Sequence, residues 1–438
     1  MLNLRLKEIE ESISELNTIS AEGKITKVIG TVVEAVGIKA AIGDICEIIS
    51  ENGRRIKAEV IGFKNSHIIL MPFEGTEGIL PESRIVHLRK QATIGLSENI
   101  LGRVIDGLGQ PLDGKGEIKA EDEYFLYGNP SNPLTRRRID EPMDVGIRAI
   151  NGLLTIGKGQ RIGIFAGSGV GKTTLLGMMV RNAKADVKVV ALIGERGREV
   201  RDFIEKHVRD AIDKTVLVVA TSDQSPLIRM RGAFVATAIS EYFKDKGKDV
   251  LLIMDSITRF AMAKRELGLA SGEPPATKGY TPSVFATLPK LLERAGRWEE
   301  GSITGFYTVL VEGDDMNDPI ADAVRAILDG HIVLSRELAR QNQYPPIDVL
   351  NSISRIMIDI TPPEHHRLAN RFRDTLATYE KAEDLINIGA YSKGSNPKID
   401  YAISMIDKLR SYLKQGVSEN ISLEESKKEL MELFDEQG

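Results

Sequence analysis

Cysteine is almost absent from this chain: Cys46 is the only one in 438 residues, which excludes an intramolecular disulfide and any cysteine-built metal site. Cys46 sits among apolar residues and reads as inert core. Long hydrophobic runs are missing too. The strongest, Val250 to Met254 and Val189 to Ile193, are of strand length and fall far short of the ~20 apolar residues of a membrane-spanning helix. The N-terminus, Met-Leu-Asn-Leu-Arg-Leu-Lys, turns acidic at Glu8, Glu10 and Glu11 and lacks a secretory signal pattern, so a cytoplasmic protein is expected. Charge of one sign is lacking as well. With 58 Lys and Arg against 63 Asp and Glu, the net charge is -5, and no general basic field recruits nucleic acid or lipid.

What is present is length and apolar content (42%) enough for two or three domains. Residues 1–20 carry Leu2, Leu6, Ile9, Ile13 and Leu16, a spacing that marks one face of a partner-binding helix. Short alternating runs follow over residues 21–90, with Asn52-Gly53 as a hairpin signal between two of them, and predict a small β-barrel. A connecting stretch with Gly107, Gly109, Gly114, Gly116, Pro130, Pro133 and Pro142 is too broken for one regular element. After residue 145, strand-like runs alternate with helical stretches, the pattern of a parallel sheet with crossover helices. We assign residues 91–361 to that α/β domain and residues 362–438, rich in helix formers, to a helical domain whose last helix opens on a capping box, Ser422-Leu-Glu-Glu425.

The segment Arg161 to Leu176 is an apolar strand, a glycine-rich loop and a helix start. It reads as a phosphate cradle of the P-loop type. Gly167, Gly169 and Gly171, with Ser168 and Val170 between them, let backbone amides curl around phosphate oxygens. Lys172 reaches the β- and γ-phosphates, Thr173 suits Mg²⁺, and Thr174 continues the helix start. Ala166 stands where the general pattern has its first glycine. Downstream, Val250 to Asp255 is an apolar run ending in a carboxylate, which places Asp255 beside the cradle as a magnesium ligand through water. Val187 to Gly194 ends in Glu195-Arg196, placing Glu195 on the same sheet edge, suited to orient water.

The combination of Ala166 to Thr173, Gly194 to Glu199 and Asp255-Ser-Ile-Thr-Arg259-Phe resembles the catalytic subunit of the rotary ATP synthases and its relatives. The similarity continues through Glu312-Gly-Asp-Asp-Met-Asn-Asp-Pro319 and Val333-Leu-Ser-Arg336 and covers most of the chain. The resemblance implies that Glu195 is the catalytic glutamate, that Arg196 and Arg259 sense phosphate, and that Asp255 holds magnesium. It implies that Tyr344 stacks on adenine and that Arg355 reaches a neighbouring subunit's nucleotide. Pro282 to Gly296 and Leu338 to Pro346 are similar to the flagellum-specific and virulence-associated type III export ATPases; of the two we adopt the flagellar role as the commoner.

The expected protein is then an ATP- and Mg²⁺-dependent ATPase forming a homohexamer, associated peripherally with a membrane export apparatus. Its expected partners are a stator-like regulatory protein at the N-terminal helix, an axial coiled-coil stalk-like protein, and the export gate with export substrates or their chaperones. The stalk-like partner would meet an irregular loop expected over Glu266 to Ser283. Two other classes fit the residues less well. A non-catalytic nucleotide-binding subunit would lack Glu195. An RNA translocase would need basic and aromatic positions in its barrel, where only Phe63 and Phe73 occur, so no nucleic acid is expected.

Overall fold

We describe the fold from a computed structural model, over residues 22–89, 91–128, 132–311, 313, 315 and 317–435. The docking helix expected at residues 1–20, and Glu312, Asp314 and Met316, lie outside the described residues. The chain divides into two compact units, one running to Thr93 and including Glu266–Pro274, the other formed by the remainder.

In the first unit, alternation of apolar and polar residues produces six strands: β1 (Glu22–Ile29), β2 (Val32–Val36), β3 (Ile45–Ile49), β4 (Arg55–Lys64), β5 (His67–Pro72) and β6 (Arg84–Arg89). They close into a barrel in the order β1-β2-β5-β4-β3-β6, every pair antiparallel, and closure leaves no bare edge. The apolar face of each strand turns inward, with Ile25, Val33, Ile48, Ile56, Leu70 and Ile85 in the core. Cys46 is fully buried among them; burial, reinforced by the charge of Asp44, pushes its thiol up to about 12, which leaves it unreactive. Between β3 and β4 the Asn52-Gly53 turn forms as expected, with Gly53 at φ 79° in the left-handed region.

The second unit is built on parallel strands: β7 (Val104–Asp106), β8 (Arg161–Ala166), β9 (Val187–Ile193), β10 (Thr215–Ala220), β11 (Asp249–Asp255), β12 (Ser302–Leu310) and β13 (Gly330–Leu334). An antiparallel strand, β14 (Ile347–Ser354), completes the order β14-β13-β8-β12-β11-β9-β10-β7, and the short strand Gly296–Arg297 adds to β12. The central strands are buried along their length, which is why they read as continuous apolar runs.

Three details differ from the sequence reading. The connecting stretch contributes β7, because Val104 to Asp106 finds ladder partners in Leu217 to Val219 that local sequence does not reveal. The Tyr344 to Arg355 segment contains β14 beyond its prolines. The expected loop at Glu266 to Ser283 is shorter: the helix Ile257–Ala270 runs past Glu266 with Leu267 buried, and the helix Pro282–Leu292 starts at its proline, leaving 271–281 irregular apart from a single 3-10 turn at Thr277–Gly279.

Three helices, Pro363–Asn387, Pro397–Leu413 and Leu423–Asp435, end the chain, and their apolar faces (Phe372, Leu409, Phe434) share one core with Leu176 of the helix after the glycine loop. The predicted capping box is made: Glu425 N donates to Ser422 Oγ at 3.2 Å and Ser422 N to Glu425 Oε2 at 2.8 Å. Among the described residues no helix is long and apolar enough to cross a membrane.

Candidate active site

β8 is apolar and buried beyond its first residue, and it delivers the chain to the loop and to the helix Lys172–Asn182. Gly169 and Gly171 adopt φ of 76° and 99°, left-handed conformations in which a side chain is strained. Gly171 is the helix N-cap and offers no side-chain acceptor, so the first amides of the helix remain for an anion. Ala166 ends β8 as buried extended strand; that position asks for no left-handed backbone, and its departure from glycine is sterically harmless. Val170 is buried under the loop, whereas Ser168, Gly169 and Thr173 are exposed.

Two more strands bring the acidic groups. Ladder register sets Met254 against Tyr307, so Asp255, the last residue of β11, stands beside Thr308. The Lys172 ammonium bonds directly to the Asp255 carboxylate and lies 3.7 Å from Glu195, which follows β9. The same Asp255 oxygen accepts the Thr308 hydroxyl at 2.7 Å. Only 6% of the Asp255 side chain and 19% of that of Glu195 are exposed, so water screens this cluster poorly. Burial, and then the charge of Asp255, raise the Glu195 carboxyl to about 7, against the opposing pull of Lys172.

The second acidic strand end needs a glycine of its own. Gly194 takes φ 72°, and a Cβ there would lie 2.9 Å from the Cβ of Arg259, so glycine is what allows Arg259 to pack on the Glu195 turn. The buried Nε of Arg259 has no hydrogen-bond partner among the described residues, an orphaned donor on a side chain that packs at the Glu195 turn. One lysine faces two carboxylates, and hydroxyl and carboxylate oxygens are the ligands a hard cation such as Mg²⁺ takes. The donor set and the uncapped amides therefore fit a magnesium-bound triphosphate.

Not every expected site residue joins the cluster. Arg196 is exposed, with a nearest acidic partner in Glu199 at 3.6 Å. Tyr344 is about half exposed, and its Cε1 lies 3.8 Å from where a Cβ on Gly171 would stand, beside the loop. Arg355 is at the opposite edge of the sheet: it follows β14, whose Ser354 pairs with Gly330 at the start of β13, while the loop leaves the end of β8. The six residues of β8 separate the two edges by about 20 Å. Sequence reasoning missed Thr308, one of several hydroxyl residues (Ser302, Thr304, Tyr307) in the same strand, which no local signal sets apart.

Comparison with known proteins identifies the family. Residues 146–354 match the ATP synthase alpha/beta family nucleotide-binding domain, residues 25–89 its beta-barrel domain, and residues 361–432 the T3SS EscN ATPase C-terminal domain. The chain is 52% identical to the flagellum-specific ATP synthase of Bacillus subtilis (strain 168), covering 97% of each. It is 47% identical to the type 3 secretion system ATPase of Xanthomonas euvesicatoria, covering 97% of this chain and 96% of that one. It superposes on the assembled ATPase EscN of the enteropathogenic E. coli type III secretion system with a TM-score of 0.90 at 47% identity, over 94% of this chain and 99% of that chain. A barrel, a nucleotide-binding domain and a C-terminal domain that match in one order leave a single conclusion: the chain is an ATPase of the ATP synthase alpha/beta family, in its branch of flagellum-specific and type III secretion ATPases.

Proposed function

We propose that this chain hydrolyses ATP to energise flagellar type III protein export, working as a ring of identical subunits. The observation that carries the reading is the buried cluster of Lys172, Glu195 and Asp255 against the glycine loop. The loop amides and Lys172 hold the phosphates, an incoming triphosphate competing with Asp255 for the ammonium. Mg²⁺, bound by Thr173 and through water by Asp255, would neutralise the β- and γ-phosphate charge. Glu195 accepts a hydrogen bond from the attacking water, Arg259 and Arg196 answer to the γ-phosphate, and Tyr344 flanks the adenine. Arg355, remote from its own cradle, serves the nucleotide of an adjacent subunit, so a complete site needs two chains.

The same reading extends to a homohexamer with an axial stalk. A structure of EscN in complex with its central stalk EscO matches this chain at a TM-score of 0.87. The segment 271–281 is our candidate for the stalk contact and residues 1–20 for a stator-like regulator; both would dock the ring peripherally at the membrane apparatus. The test of function is a strain lacking its export ATPase. This chain should restore flagellin export and motility, and Glu195→Gln, which binds nucleotide without turnover, should not. Rescue of virulence-type secretion alone would favour the second reading, which relatives named for that system support.

A further inference from the structure

The base of Arg355 belongs to a hydrogen-bonded assembly at the start of β8. The Asp329 carboxylate accepts three donors from one residue: Arg161 N at 3.0 Å, Nε at 3.0 Å and Nη2 at 2.9 Å. Asp329 N donates in return to Arg161 O at 2.9 Å. Asp329 is thereby locked to the first residue of the strand whose last residue opens the phosphate loop. Its carbonyl then accepts Arg355 N at 3.0 Å and the side-chain amide of the buried Gln160 at 3.2 Å. Gln160 also donates to Ser354 Oγ at 3.1 Å, gripping the residue before Arg355. The Arg355 guanidinium itself is exposed and, among the described residues, has only a 3.3 Å hydrogen bond to Arg325 O.

We propose that Asp329, through its fork with Arg161, is a positioning residue for Arg355. It ties the arginine offered to a neighbouring subunit to the strand that ends in the chain's own cradle. The proposal rests on the reading of Arg355 as a residue acting across subunits. An arginine of that kind needs a fixed base and a free head, because an error of about 1 Å in the placement of a reacting group costs about a hundredfold in rate. The observed division provides both: the backbone is pinned from two sides and the guanidinium is lightly held. Because β8 also carries the loop, any shift of the strand on nucleotide binding is passed through Arg161 and Asp329 to Arg355. This gives neighbouring sites a short connection through the strand and its hydrogen bonds.

The test is a double-mutant cycle on assembled rings, reading kcat, KM and binding of a fluorescent ATP analogue to the chain's own cradle. Asp329→Asn keeps the shape and removes the charge; Arg161→Lys keeps the charge, removes the fork and carries the test if the first variant does not assemble. Each should lower kcat about 10- to 100-fold and leave analogue binding within about threefold, less than 1 kcal/mol. Adding Arg355→Ala to Asp329→Asn should lower kcat no further than Arg355→Ala alone, since groups acting as a unit are not additive. Parental kcat in Asp329→Asn beside a deficient Arg355→Ala, or multiplied losses in the double variant, would overturn the positioning role and leave the cross-subunit arginine standing. Parental kcat in Arg355→Ala would remove both.

Discussion

Thr308 donates its hydroxyl to the Asp255 oxygen that also receives the Lys172 ammonium. Asp255 is nearly excluded from water, so this donor fixes the carboxylate's orientation when Lys172 turns to phosphate. Groups that orient a metal ligand from behind are worth about 10- to 100-fold in metal affinity or activity. Thr308→Val, equal in shape, should raise the Mg²⁺ concentration for half-maximal ATPase about tenfold while nucleotide binding without Mg²⁺ stays as in the parent. An unchanged Mg²⁺ requirement would remove Thr308 from the site.

Glu195 titrates near 7 because burial and Asp255 both disfavour its charge. Its carboxylate form is the one that accepts from water, so kcat/KM should rise with pH through an apparent pKa near 7, the free enzyme's value. Stability has the opposite slope. Between the ordinary glutamate value of 4.5 and 7 the folded chain binds the extra proton, so stability is fully present below that window and is lost as pH rises through it. Glu195→Gln should therefore match the parent's unfolding free energy below about pH 4 and exceed it at pH 8, by at most about 3 kcal/mol. The same difference between variant and parent at both pH values would show that Glu195 is not held neutral.

The Leu2, Leu6, Ile9, Ile13, Leu16 stripe is too short to form a stable helix alone. Removing residues 1–18 should abolish binding of a stator-like helical partner, measured by co-purification, and leave basal ATPase within about twofold, a change of under 1 kcal/mol. A complex that survives the truncation would place the contact elsewhere.

Where local chemistry dictates the structure, the sequence was legible. The glycine loop, Asp255 at the end of an apolar run, the Asn52-Gly53 turn and the Ser422–Glu425 box each depend on residues a few positions apart, and each formed as expected. What escaped depends on partners far along the chain. β7 is three residues long and exists because β10 offers its edge. β14 has the alternation of a half-buried strand, with Ile347 and Val349 inward, but it follows Pro345-Pro346 and runs against the direction of its neighbours. Thr308 and Asp329 matter through ladder register, which places them beside Asp255 and Arg161, and no local pattern encodes that pairing. Arg355 was named from resemblance alone; its place at the far sheet edge is a fact of topology.

That place carries the account's central claim, that a working site is shared between two subunits. A guanidinium from outside the cradle stabilises charge on the γ-phosphate as it transfers, a contribution of about 10³ to 10⁵ in rate where such arginines are characterised. The direct measurement is steady-state ATPase of Arg355→Ala in rings shown to be assembled, beside Lys172→Ala. The account predicts that Arg355→Ala binds ATP nearly as the parent does but turns over about 10³-fold more slowly, whereas Lys172→Ala loses binding as well. Assembled Arg355→Ala rings hydrolysing ATP within a few-fold of the parent would contradict it.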